Sequence, residues 1–178
     1  MKRTIFLRIL PVLAAVLFLA FTSCAQNPPR RTSPPATATG KIGAANVTIS
    51  YSSPAVDGRK IWGELVPLDK PWRAGANQAT TLETDKDLVI GGKKLPAGKY
   101  TLFATPGQEK WTIILNSQTG QWGIKAGGVA NFDPEKNVLT VDVTPRKSAV
   151  MNEHLTYIIN SNGIVLQWEN LEVPIPAK

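Results

Sequence analysis

Along residues 41–178, apolar and polar positions alternate with a period of two, and helical spacing is nearly absent. Residues 47–51 (VTISY) alternate and stop at Ser52-Ser53-Pro54. Residues 80–84 and 87–90 read as short strands closed by Gly91-Gly92. Residues 95–98 (LPAG) form a turn, with Pro and Gly supplying the fixed and positive φ values that a turn needs. Residues 99–105 (KYTLFAT) and 111–116 (WTIILN) are strands joined through PGQEK, a hairpin signal. Residues 137–144 (NVLTVDVT) alternate until Pro145. Residues 154–160 and 164–169 flank Ser161-Asn162-Gly163, whose Asn-Gly pair is the strongest short hairpin cue. Residues 171–175 add an edge strand blunted by Pro174 and Pro176. Eight or nine short strands predict an all-β domain, an antiparallel β-sandwich or jelly-roll-like barrel. Trp111 and Trp168 fall within its alternating strands, as core or sheet-face residues.

Two stretches break this rhythm, and the first is the start of the chain. Lys2, Arg3 and Arg8 precede thirteen residues, 9–21 (ILPVLAAVLFLAF), that carry no polar side chain. A bilayer span takes about 20 such residues, so the pattern is that of a secretory signal over residues 1–23. Thr22-Ser23-Cys24 then resembles a lipobox, in which cleavage leaves Cys24 as a lipidated N-terminus and membrane anchor. Phe21 stands where such motifs usually carry Leu, and Ser23-Cys24-Ala25 also suits ordinary cleavage after Ala25. Cys24 is the sole cysteine; an unpaired thiol in an oxidising compartment invites unwanted bridges, which lipidation removes. Residues 25–27 (AQN) lack an acidic run, which favours a periplasm-facing anchor in the cell envelope. Residues 24–40, with four prolines, read as an extended tether reaching roughly 40 to 50 Å, ahead of a single domain over residues 41–178.

The formal charge of +7 shrinks once the leader and tether are set aside. Residues 41–178 hold 15 Lys and Arg against 13 Asp and Glu, without a basic run, so no nucleic-acid partner is expected. One histidine, His154, opens a strand and is a rim residue rather than half of a catalytic pair. Asp85, Asp87 and the Asp133-Pro134-Glu135 run lack calcium-loop spacing. The glycine pairs precede no helix that would bind phosphate, so neither metal nor cofactor is expected.

The second irregular stretch is residues 57–78, DGRKIWGELVPLDKPWRAGANQ. It is too apolar for disorder, and long loops in compact domains tend to be functional. Arg59 and Arg73 are forked donors suited to carboxylate or phosphate. Trp62 and Trp72 offer flat faces to a sugar or aromatic ring, and Gly75 beside Asn77 lets backbone approach a ligand. The same tryptophans would also plug an open end of the sandwich, with the arginines paired to Asp57, Glu64 or Asp69. Trp122 is placed at the same rim, and residues 124–131 (IKAGGVAN) read as a mobile loop.

ISYSSP at 49–54, GRKIWG at 58–63, LVP at 65–67, PWRAGAN at 71–77 and GGKKLPAGKY at 91–100 resemble the domain of unknown function 2911 family of exported bacterial proteins. The resemblance covers residues 43–175, with Leu68 where the family pattern usually has Tyr. It implies an exported, β-rich, lipoprotein-like domain and no particular activity. Three readings stand side by side. One is a binding module using Arg59, Trp62, Trp72, Arg73 and Asn77 for a small anionic or carbohydrate-like ligand. Another is a structural or interaction lipoprotein with an envelope protein partner and the loop as plug. The third is a hydrolase with carboxylate chemistry, for which Glu64 is the best single acid.

Overall fold

The computed structural model describes residues 33–178; the expected signal (residues 1–23) and Cys24 lie outside the described residues. Among the described residues, ten strands and two short 3-10 turns make up the fold. Six strands form one antiparallel sheet in the order β1 (Pro35–Ile42), β2 (Ala45–Ser52), β3 (Thr81–Thr84), β6 (Gly98–Thr105), β7 (Trp111–Asn116), β8 (Asn137–Val143). The remaining strands, β4 (Leu88–Ile90) with β5 (Lys93–Leu95) and β9 (Arg146–Asn160) with β10 (Gly163–Pro176), form two smaller ladders. These ladders join at the end of the chain. Val89 N–H donates to Lys178 O (2.8 Å), and Gly91 N–H to Pro176 O (2.9 Å). Residues 54–56 add to the other side of β9, with Val56 N–H on Glu153 O at 2.7 Å.

Alternation decides which side chains go inward. Val47, Ile49, Leu82, Leu102, Ile113, Leu115, Leu139 and Val141 of the large sheet face Leu155, Leu166, Trp168, Val173 and Ile175 of the β9–β10 ladder. Together they form the main core, as expected of a two-layer antiparallel fold. At about 25 cal/mol per Å² of apolar surface removed from water, this layer is the dominant source of stability.

β1 begins at Pro35, so residues 35–40, expected to belong to the tether, are a strand that pairs along its whole length with β2, from Pro35↔Ser52 to Ile42↔Ala45. Proline is tolerated because it opens the strand. The alternating threonines of PATATG supply the β-branched pattern behind a composition that resembles a linker. Small residues also let β1 approach β9. A Cβ added at Gly40 would come within 2.8 Å of both the Ile159 carbonyl oxygen and its Cβ. Gly40→Val is therefore expected to lower stability by about 1–3 kcal/mol, measurable as a fall in the chemical denaturation midpoint with an unchanged slope.

β10 is longer than the strand 164–169, because the chain reverses within it at Glu169 (φ 52°). The Ala177 N–H reaches back to Asn162 O at 3.1 Å, and the Gln167 amide donates to the Glu172 carboxylate at 2.7 Å. β9 starts at Arg146, eight residues before His154, and its first half is mostly exposed. Pairing, rather than burial, holds that half: Arg146↔Glu172 and Lys147↔Leu171. Arg146 also forms an ion pair with Glu172 at 2.8 Å.

Three carboxylates are held below the usual range by local donors. Asp85 accepts from the Asn46 side chain and backbone. Asp142 accepts from Lys110 and Thr112, and Glu172 from Gln167 and Arg146. A depressed folded-state pKa contributes stability above the unfolded value and loses it as pH falls through the folded one. The melting temperature should therefore hold from neutral pH to about pH 5 and fall below about pH 4. The Asp85→Asn, Asp142→Asn, Glu172→Gln triple variant should show a shallower acid limb.

Candidate functional site

Residues 57–78 fold as two buried anchors with polar rims. Ile61 and Val66 are fully buried in the core, and the Val66 N–H donates to Ile61 O at 2.9 Å to close a compact turn. Trp72 exchanges backbone hydrogen bonds with Ala104, its N–H donating at 2.7 Å and its carbonyl accepting at 2.9 Å. It thereby extends the large sheet along β6, beyond the point where β3 ends.

That backbone placement sends both loop tryptophans inward. Trp62 packs edge-on against Trp111 (centroids 4.8 Å apart), Trp168 (5.7 Å) and Trp72 (5.9 Å). Trp72 stacks on Trp168 at 5.9 Å and 16°, and meets Trp111 edge-on at 6.4 Å. Trp111 and Trp168 are each 1% exposed. Each aromatic pair of this kind contributes about 0.5–1.5 kcal/mol beyond the area it buries. The indole N–H groups of Trp62 and Trp168 are buried without an acceptor.

The two arginines part company. Arg59 is exposed and turns back on its own chain, donating from Nε to Val56 O (3.1 Å) and from Nη2 to Ala55 O (2.5 Å). Arg73 is half-buried, and its aliphatic stem lies against Gly123, where an added Cβ would collide with it. Its Nε–H is buried and unpartnered, and burial lowers its pKa from the ordinary arginine value. Neither arginine makes an ion pair among the described residues; Glu64 instead pairs with Lys60 at 3.0 Å on the surface.

The backbone after Arg73 is fixed tightly. Ala74 takes a left-handed conformation (φ 49°), and its carbonyl accepts from the buried Tyr157 hydroxyl at 2.7 Å and from Thr80 at 3.0 Å. Burial raises the Tyr157 pKa well above the ordinary value, so the phenol stays a donor. Gly75 is held within 3.1 Å of Ser52 O as measured from its absent Cβ, so this glycine serves a close backbone approach. Asn77 (φ 58°) donates from Nδ2 to Ser33 O at 3.2 Å and accepts the Gly123 N–H at 3.0 Å.

Gln78 and Trp122 share a β-bridge, and Trp122 is 52% exposed. The structure thus brings Arg73 and Asn77 together around Gly123, next to Trp122, packs the partly buried Trp62 and Trp72 against the core, and leaves Arg59 tied to residues 55–56. The loop carrying Trp122 is pinned across the outer face of the large sheet, where Ala130 and Phe132 cover Phe103 and Ile114. Thr101 and Asn116, buried on that face, bond to Gln118 O (2.8 Å) and Asp133 O (2.7 Å).

The other candidate acids act as local caps. Asp87 accepts from the Ala97 N–H at 2.9 Å, and Asp133 from the Glu135 N–H at 3.0 Å. His154 is exposed on β9 and bridges to Ala55. Among the described residues, no group of three or more His, Cys, Asp or Glu side chains is placed to hold a metal ion.

Sequence reasoning missed Gly123 and Ser33, which frame Arg73 and Asn77. Neither carries a local signal, because both act through contacts with residues more than 40 positions away. No curated protein and no solved structure matches this chain. A family model described as a protein of unknown function (DUF2911) matches residues 33–177, from the first described residue to the penultimate one, and the chain belongs to that family.

Proposed function

We propose that this protein is an envelope-anchored lipoprotein, held through Cys24, whose β-sandwich serves as a binding module for a small oxyanion-bearing or carbohydrate-like ligand. Within the loop the roles divide: Trp62 and Trp72 plug the sandwich, while Arg73, with Asn77, meets the ligand. The observation that carries the reading is Arg73 itself. Its guanidinium is partly desolvated, its Nε–H has no acceptor, and no carboxylate among the described residues neutralises it. Burying a charge without a partner is unfavourable, and a carboxylate or phosphate bound beside the half-buried guanidinium would reverse that term. Arg59, whose donors are occupied by its own backbone, contributes to the loop's shape.

A thermal-shift screen of residues 32–178 against organic acids, phosphorylated sugars and peptidoglycan fragments tests this reading. A ligand at 100 times its dissociation constant adds about 2.7 kcal/mol. Arg73→Ala should abolish the shift with little change in the unliganded melting temperature, whereas Arg59→Ala should retain it. A shift that survives Arg73→Ala would remove the reading. Silence across the whole panel would favour an interaction lipoprotein with a protein partner, a reading supported by the packing of both loop tryptophans against the core.

A further inference from the structure

The rim that carries Arg73 is also where the chain enters the domain. Ser33 is fixed there by the Asn77 side chain, and Asn77 O in turn holds the Gly123 N–H. Gly123 opens a small hairpin, closed by Asn131 N–H to Gly123 O (3.0 Å) and Lys125 N–H to Val129 O (2.8 Å). Its tip, residues 125–129, is exposed throughout; Val129 is 64% exposed, and Trp122 at the base is 52% exposed. Across residues 117–131 the only charged side chain is Lys125. An indole, an aliphatic side chain and one cation, free of carboxylates, is the composition that settles at the headgroup level of a bilayer.

We infer that this hairpin, residues 122–129, rests on the surface of the membrane to which the chain is anchored. The inference rests on the anchoring proposed above. Cys24 precedes Ser33 by nine residues, which span at most about 30 Å when fully extended. A lipidated Cys24 therefore keeps the Ser33 end of the domain near the headgroups, and the hairpin beside Ser33 is the nearest apolar protrusion tied to that point. A second exposed apolar pair, Val150 and Met151, lies on β9, which Ser53 also ties to Pro34 through Leu155, but that pair holds no indole and lies two residues from the Glu153 carboxylate. A lipidated cysteine of this kind carries two acyl chains, enough to hold the chain on the bilayer while leaving the domain free to turn, and a second contact orients it.

The test uses the full chain expressed in a bacterium, extracted in detergent and reconstituted into phosphatidylcholine–phosphatidylglycerol vesicles with brominated acyl chains. Trp111 and Trp168 are buried, Trp62 and Trp72 are partly buried and packed against them, and Trp122 is the most exposed of the five, so Trp122 is the one placed to report contact with lipid. The expected result is loss of the long-wavelength emission component in brominated vesicles. That loss should be absent in Trp122→Phe and strongly reduced in Val129→Asp, with both variants still floating with the vesicles. Protein that floats while its emission is unquenched overturns the orientation and leaves the anchor standing. Protein that neither floats nor carries an acyl mass on Cys24 overturns both.

Discussion

Trp62→Ala is expected to lower the unfolding free energy by about 3 kcal/mol, at the lower end of the range for tryptophan truncations because the ring is only half-buried. On a domain of this size that is a fall of roughly 10 °C in melting temperature. The reason is the company the ring keeps: it touches Trp72, Trp111 and Trp168, all within 6 Å between centroids. Its N–H has no partner, so truncation breaks no hydrogen bond and the loss is one of packing. Trp62→Phe, which keeps an aromatic ring in the site, should recover most of the difference. Were Trp62 a stacking platform for ligand instead, alanine would leave the melting temperature within a degree or two and act on binding alone.

The second large effect is expected at Gly163. Its φ of 129° is closed to residues with a Cβ, and an added Cβ would collide with Ile175 O and sit 2.6 Å from Ala177 N. Backbone is on both sides, so no rotamer change relieves the collision. Gly163→Ala should cost about 3 kcal/mol or more. The damage should be local first, because the β4–β10 junction lies beside it. Hydrogen exchange should show the Val89, Gly91 and Ala177 amides losing protection well before the β6 and β7 amides. Uniform loss across both sheets would show instead that the junction is not a separable unit.

How well the chain predicts its own structure varied with how each element is held. Strand β7 matches its expected limits because alternation is bounded on both sides, by Pro106-Gly107 and Ser117. The start of β9 leaves no mark in the pattern because RKSAVMNE does not alternate, is mostly exposed, and is stabilised by its partner strand rather than by burial. β1 was hidden by Pro35 and by the prolines that precede the strand. The covering of the outer face did leave a trace. The runs LFA at 102–104 and IIL at 113–115 are apolar on both faces, which is the mark of a strand covered on both sides.

For the site, residue type announced the loop but not its orientation. Tryptophan serves equally as plug and as platform, and only the Trp72–Ala104 pairing points the ring inward. Arginine is equally ambiguous until its acceptors are known: Arg59 has two carbonyls, and Arg73 Nε has none.

The most direct measurement is a ¹⁵N-edited NMR titration that follows the Arg73 Nε–H and the five indole N–H signals, assigned through Arg73→Lys and single Trp→Phe variants. With the panel of organic acids and phosphorylated sugars, the account predicts that at least one compound shifts Arg73 Nε–H, while the Trp62 and Trp168 indoles stay in place. A compound that moves the Trp62 and Trp168 indoles while leaving Arg73 untouched would contradict it and return the loop tryptophans to the role of a ligand platform.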